Sequence, residues 1–183
     1  MRAFLAFEVS EAVTTKLLQA GLDIRRTGAD ASIVGRENLH FTVKFLGDVP
    51  DGVAAEVDSR IKRLDLRGIE ARVRGVGAFP DLRRPRIVWA GVAQEDEKAF
   101  DDMSKRIIDA LDGVGKPADH DFHAHITLAR VRSPRNIDAL VSFIKQQASL
   151  DFGATPISSL KLKSSVLTPT GPIYSDVREY ALR

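Results

Sequence analysis

Leu39-His40-Phe41-Thr42-Val43-Lys44-Phe45-Leu46-Gly47 is the stretch around which the rest of the sequence is read, because a shorter relative, His125-Ile126-Thr127-Leu128-Ala129-Arg130, returns later in the chain. Each is a short apolar run with a His and a Thr two residues apart. In an extended strand that spacing puts both polar side chains on one face. The alternation predicts that Phe41, Val43 and Phe45 point the other way, into a core. A slip of one residue would bury the His and Thr and expose the aromatics, so the register is firmly specified. Two such strands facing one cleft would present two imidazoles and two hydroxyls to its contents.

Taken singly, either copy is ordinary strand chemistry, since Thr favours strands and a lone strand His has no special meaning. The repetition carries the weight. Two of the four His residues have Thr at the second following position, and each is followed nine or ten residues on by a Pro, Pro134 or Pro50, where a helical pattern begins.

The 183 residues fit one domain, or one domain of two similar lobes, and a chain of this size buries about 70% of its unfolded surface. With no Cys, thiol catalysis, Cys-ligated zinc and a disulfide framework are excluded. A formal charge of +2 and a pI near 9.0 are mildly basic. That permits an anionic ligand and falls short of a nucleic-acid coat protein. The apolar run from Met1 to Phe7 is too short for a signal peptide and nothing later approaches a membrane span, which predicts a cytoplasmic protein.

Arg2 to Val9 reads as a strand, and Ser10 as the N-cap of a helix with Val13, Leu17, Ala20 and Ile24 on one face. A short extended piece at Ala31 to Val34 leads to the first His strand. Pro50-Asp51-Gly52 turns the chain into a helix carrying Val53, Val57, Ile61 and Leu64. Ile69 to Ala78 and Arg86 to Val92 read as a hairpin, the second strand around Trp89. The connection between them holds Arg83, Arg84 and Arg86, either a solvated loop or a phosphate-binding edge. A third helix buries Phe100, Met103, Ile107 and Leu111. After the second His strand, Ser133-Pro134 reads as cap and first turn of a fourth helix with the stripe Ile137, Leu140, Val141 and Ile144. Leu160-Lys161-Leu162-Lys163 alternates as a strand, and Thr168 to Pro172 turns it towards a last strand, Ile173 to Leu182. The sum is an α+β protein. Residues 1–183 form a single bilobal domain of two tandem similar halves, with motifs at 40–42 and 125–127. Each lobe is an antiparallel sheet with helices on the outer side and a groove between the lobes.

Two imidazoles converging on a cleft suit a reaction that removes one proton and supplies another near neutral pH. Hydrolysis of a strained phosphodiester is such a reaction. One His takes the proton from the attacking water and the other protonates the departing ribose oxygen. Two facing strands put acid and base on opposite sides of the phosphate, and the Thr hydroxyls can hold its non-bridging oxygens. No metal or other cofactor is required, because the leaving group is protonated.

These residues resemble the signature pair of the two-histidine phosphoesterase superfamily, and more closely the bacterial and archaeal RNA 2',3'-cyclic phosphodiesterases, also called 2'-5' RNA ligases or the LigT/ThpR family. Phe4-Leu5-Ala6-Phe7, Phe79-Pro80, Pro85 to Gly91, and Gly171-Pro172-Ile173-Tyr174 extend the likeness over nearly the whole chain. The resemblance implies a bilobal fold with pseudo-twofold symmetry and hydrolysis of a terminal 2',3'-cyclic phosphate to a 2'-phosphate. ATP-independent 2'-5' joining is implied as the reverse reaction. It implies His125 as the base, His40 as the acid, Thr42 and Thr127 as phosphate ligands, and Arg130 as a further phosphate ligand. The implied partners are RNA ends with a 2',3'-cyclic phosphate, tRNA halves included, acted on by a monomer without membrane, metal or ATP. Ala124 stands where the family commonly has Pro. Arg130 has the wrong parity to share the face of His125 unless a bulge re-aims it.

Other readings stay open. His120, His123 and His125 form a run in which alternate residues could ligate a divalent ion, although that leaves His40 and Thr42 unexplained. Otherwise His123 lines the groove or is exposed, and His120 is a loop residue. Lys44 is placed on the face of His40, as a phosphate contact or a solvated strand end. Tyr174 is a base-stacking or a packed aromatic. The whole could be a non-catalytic RNA-binding module, or a phosphodiesterase of a small cyclic nucleotide or cyclic ADP-ribose phosphate, since the motif reads a phosphate and little else.

Overall fold

The computed structural model describes residues 1–117, 122–169 and 171–183. Its strands are β1 (Arg2–Glu8), β2 (Ala31–Ile33), β3 (His40–Asp48), β4 (Ile69–Phe79), β5 (Ile87–Val92), β6 (His125–Val131), β7 (Asp151–Ile157), β8 (Ser159–Thr168) and β9 (Gly171–Ala181). Its helices are α1 (Glu11–Arg26), α2 (Val53–Ile61), α3 (Gln94–Ala110) and α4 (Ile137–Gln146).

Among the described residues the strands join one antiparallel sheet in the order β7-β4-β5-β6-β3-β1-β8-β9, with β2 against the end of β6. Its centre is a single registered pair, Phe41 of β3 opposite Ile126 of β6. From there the two strands diverge, and β2 fills the far end of the wedge through Ala31–Val131 and Ile33–Ala129. Four strands lie on either side of that pair, β3-β1-β8-β9 and β6-β5-β4-β7. Early and late strands of the chain are interleaved in space. The β4–β5 hairpin, which follows the first His strand, lies beside the second, whereas β8 and β9 return to flank β1. Without β8, β1 would leave Ala3, Leu5 and Phe7, all essentially buried, on an unpaired edge, which is an aggregation hazard.

The helices cover one face. Phe100 of α3 packs between Phe7 and Phe41, with ring centroids 5.6 and 4.7 Å from its own, and one buried cluster runs on from there to Val73, Val88 and Ile126 of the other sheet half. Ser10 caps α1 as expected, its hydroxyl accepting from the Val13 N–H at 3.4 Å, and Val13, Leu17, Ala20 and Ile24 are buried beneath it. The stripe of α3 is buried as the periodicity predicts, and so are Val53, Val57 and Ile61 of α2, whereas Leu64 lies past the end of that helix and is half-buried.

Two elements differ from the sequence expectation. The cap of α4 is Asn136, at a φ of 53°, rather than Ser133-Pro134. The Ser133 hydroxyl donates instead to Asp30 at 2.7 Å, and Asn tolerates the left-handed region that re-aims the chain into the helix. Strand β7 carries no alternation and contains Gly153 and Pro156. It is an edge strand, paired only to β4, where the missing N–H of Pro156 is tolerated.

Candidate active site

The wedge between β3 and β6 opens a groove of about 940 Å³ on the sheet face opposite the helices. His40, Thr42, His125, Thr127 and Arg130 all line it, so the structure brings every sequence-predicted site residue together. The cause is the Phe41–Ile126 pair. The strands run in opposite senses through that pair, which sets His40 on the Thr127 side and Thr42 on the His125 side.

The parity problem of Arg130 is resolved by a bulge. Thr127 pairs with Trp89 and Ala129 with Val88, which leaves Leu128 as an extra residue. Leu128 and Ala129 are both buried on the core side, at 1% and 0% exposure, and Arg130 swings into the groove. Strand β3 repeats the device at the equivalent position. Thr42 pairs with Ala6 and Lys44 with Leu5, leaving Val43 extra. Phe45, expected in the core, is therefore 60% exposed and lines the groove. Lys44, expected on the face of His40, lies on the other side at 4% exposure, its ammonium donating to the Lys116 carbonyl at 3.1 Å. Burial holds its pKa below the usual value, against the pull of Asp112.

Each catalytic candidate is backed by a Phe. The Phe4 ring stacks on His40 at 5.1 Å and 26°, and Tyr174 meets both rings edge-on, at 4.8 and 5.5 Å. Tyr174 is thus a packed aromatic that also lines the groove. Phe79 meets His125 edge-on at 4.9 Å and His123 at 5.6 Å. Phe4 and Phe79 carried no assigned role in the sequence, because nothing local links a ring to a His on another strand.

Charge around His40 is organised by a feature that sequence reasoning missed. Glu8 pairs in register with His40 across β1 and β3. Its carboxylate takes bonds from Lys161 and Lys163, both 2.8 Å, and Asp176 takes bonds from the same two ammonium groups at 2.7 and 2.6 Å. Burial alone would raise the Glu8 and Asp176 carboxyls, but the two lysines hold both below the usual range. His40 is only 9% exposed. Burial first, then the Lys163 cation and His125, push its pKa down to about 4, with Glu8 opposing. Its Nδ1 is buried without a partner, which leaves Nε2 as the working nitrogen.

His125 is also depressed, mainly by burial, with a hydrogen bond to the His123 backbone opposing. Its Nδ1 lies 2.7 Å from the His123 carbonyl oxygen. A carbonyl only accepts, so Nδ1 carries the hydrogen, and neutral His125 exposes a lone pair on Nε2. His123 lines the groove, its ring 5.1 Å from Trp89. Among the described residues no three His, Cys, Asp or Glu side chains are placed to hold a metal ion together. His120 lies outside the described residues.

Comparison with known proteins agrees with this arrangement. The family described as LigT like Phosphoesterase matches residues 8–89 and 92–174, two successive segments that each carry one His-Thr pair. The RNA 2',3'-cyclic phosphodiesterase of Aeropyrum pernix is 38% identical over 160 residues, covering 85% of this chain and 89% of that protein. Its namesake from Methanothermobacter thermautotrophicus is 35% identical over 185 residues, covering 100% of this chain and 99% of the other. A crystal structure of a Thermus thermophilus protein superposes with a TM-score of 0.81 at 28% identity, covering 100% of this chain and 98% of that one. E. coli LigT complexed with 3'-AMP shares the fold, with a TM-score of 0.76 at 18% identity and coverage of 99% and 97%. With both His-Thr strands inside the matched segments, this chain belongs to the LigT-like phosphoesterases of the two-histidine superfamily.

Proposed function

We propose that this chain is a metal- and ATP-independent RNA 2',3'-cyclic phosphodiesterase that opens a terminal cyclic phosphate to a 2'-phosphate, with 2'-5' joining as the reverse reaction. One observation carries this: two His-Thr strands meet at the Phe41–Ile126 pair, so that two imidazoles and two hydroxyls share one groove. The relatives named for this activity support it. Both histidines come from one chain, so a monomer holds the complete set. No described helix is long and apolar enough to cross a membrane, and a cytoplasmic site of action is part of the proposal.

Nε2 of His125 takes a proton from water as the water oxygen bonds to phosphorus. The bond from phosphorus to the ribose 3'-oxygen breaks, and His40 gives that oxygen its proton. Thr42, Thr127 and Arg130 hold the non-bridging oxygens, where charge develops. His125 then releases its proton to solvent and His40 takes one up.

His40 must be charged to act as the acid, although burial keeps it neutral at pH 7 in the free protein. Charging a group of pKa about 4 at pH 7 costs about 4 kcal/mol. A phosphate anion at ~4 Å returns about 4 kcal/mol at an effective dielectric constant of ~20. The two are of similar size, so a phosphate in the groove favours the charged, proton-donating form of His40. That couples acid strength to substrate binding.

The test is incubation, in EDTA, with an RNA oligonucleotide ending in a 2',3'-cyclic phosphate, and identification of the product isomer. A 2'-phosphate is expected. A 3'-phosphate, or no opening of the ring, would overturn the proposal.

A further inference from the structure

Beside the groove lies a second cavity, of about 500 Å³, lined by Arg83, Arg84, Pro85, Arg86, Arg132 and Ile137 among others. The two share a wall. Ile87 and Arg130 line the groove and pair with each other in register. Arg86 precedes Ile87, Arg132 follows Arg130 by two residues, and the Val131 N–H donates to the Arg86 carbonyl at 2.9 Å. Along the strand Arg130 and Arg132 are ~7 Å apart, so the guanidinium groups continue outward from the groove.

The charge of this corner is only partly compensated. Several cations on and beside α2 and α3 are matched one turn away, as in Arg60–Glu56, Lys62–Asp58, Lys98–Asp102 and Lys105–Asp109. Among the described residues no carboxylate pairs with the side chains of Arg83, Arg84 or Arg86, and Arg132 has only a 3.9 Å contact to Asp30. The one acid in the loop, Asp81, accepts from the backbone N–H groups of Arg83 and Arg84 at 2.7 and 3.1 Å. It shapes the turn through the backbone and makes no ion pair with either guanidinium group, although both cations lower its pKa. Four arginines on one small cavity, in a chain whose net charge is only +2, focus positive potential where a strand leaving the groove would pass.

We propose that this corner is a subsite for the backbone phosphates of RNA upstream of the cyclic end. The inference rests on the reading of the groove as a cyclic phosphodiesterase. A terminal nucleotide held by its cyclic phosphate is joined to the rest of the RNA through its 5'-oxygen, and the next charges on that chain are phosphodiesters. Guanidinium groups suit them, being permanently charged and geometrically matched to phosphate oxygens. A cyclic mononucleotide carries no such charges and gains nothing from the corner. The subsite therefore selects strands over mononucleotides, and it reads backbone rather than sequence.

The test compares wild type with an Arg83→Gln, Arg84→Gln, Arg132→Gln triple variant, all three positions being exposed. Affinity for a fluorescent RNA decamer ending in a 2'-phosphate is measured against salt, and kcat/KM is measured for a cyclic-ended decamer and for a 2',3'-cyclic mononucleotide. The triple variant is expected to bind the decamer roughly tenfold more weakly or worse. Its salt slope should be shallower by about 0.7 for each phosphate that is no longer neutralised. Decamer turnover should fall in parallel and mononucleotide turnover stay within about twofold. Unchanged decamer affinity and salt slope would overturn the subsite, as would equal losses on both turnover substrates. Poly-glutamate displacing the decamer as well as unlabelled RNA would assign the corner to acidic protein segments instead. Binding is read apart from turnover. Arginine-dependent binding without ring opening would sink the phosphodiesterase reading and keep the RNA subsite.

Discussion

Lys163 and His40 are linked through Glu8, and the buried Lys163 cation is the largest influence after burial in pushing that histidine down, to about 4. Glu8, opposite His40 in the strand pairing, pulls the other way while sharing its carboxylate with Lys163 and Lys161. The quartet of Glu8, Lys161, Lys163 and Asp176 thus sets the acidity of a group that it does not hydrogen-bond.

Replacing Lys163 with Met keeps the length of the side chain and removes the cation, leaving two carboxylates facing one lysine. The expected result is a rise in the His40 pKa, followed by NMR titration of the imidazole, and a pH–kcat/KM profile that shifts up with it. An unmoved imidazole would mean that the charges of the quartet cancel at His40.

The same depression makes folding stability depend on pH. His40 titrates near 6.5 in the unfolded chain and at about 4 in the folded one. Between those values the unfolded state binds more protons. The stabilisation is complete above pH 6.5 and is lost as the pH falls towards 4. At pH ~4.5 the loss from this one group is about 2–3 kcal/mol. Urea titrations of wild type and His40→Gln at pH 7 and ~4.5 isolate it, because the carboxylates contribute to both proteins. Wild type should lose more stability than the variant by that amount, and equal losses would place the His40 pKa near its unfolded value.

Much of this site was legible in the sequence because it rests on periodicity. His and Thr two residues apart share a strand face, and both copies do so. What alternation cannot register is an inserted residue. The bulges at Val43 and Leu128 reverse parity within one step, and for that reason Phe45 and Lys44 exchange the faces assigned to them while Arg130 gains its place. Periodicity is equally blind to the quartet, because Glu8, Lys161, Lys163 and Asp176 meet only when β8 returns beside β1. Strand β7 escaped for a related reason. An edge strand has relaxed residue requirements, and β7 carries Gly153 and Pro156, which ordinarily weaken a strand pattern.

The exchange of faces separates two basic residues that the sequence left as rival phosphate ligands. Arg130→Gln should lower kcat/KM by about 10–100-fold, the worth of a hydrogen bond to a charged group at ~1.5–3 kcal/mol. Lys44→Met should leave kcat/KM within about threefold, because its ammonium is committed to the Lys116 carbonyl on the far side of the strand. Steady-state kinetics on a cyclic-ended oligonucleotide decides it. A tenfold loss for Lys44→Met would mean that the strand face is not the one the bulge imposes.

The last expectation concerns the two histidines as a unit. Removing either one deletes a proton transfer worth ~10²–10⁴ in rate, so His40→Ala and His125→Ala should each lose at least ~100-fold in kcat. The two transfers belong to one displacement. Water is a poor nucleophile unless His125 accepts its proton, and the 3'-oxygen is a poor leaving group unless His40 supplies one. Once either is gone, the other works against a barrier that it cannot lower alone. The double variant should therefore be little worse than the worse single variant. Single-turnover rates of the four proteins on one cyclic-ended oligonucleotide test this, with substrate affinity measured separately so that a binding loss is not read as a chemical one. Losses that add on a logarithmic scale would mean that acid and base act in separate steps, and the groove would then hold an intermediate between them.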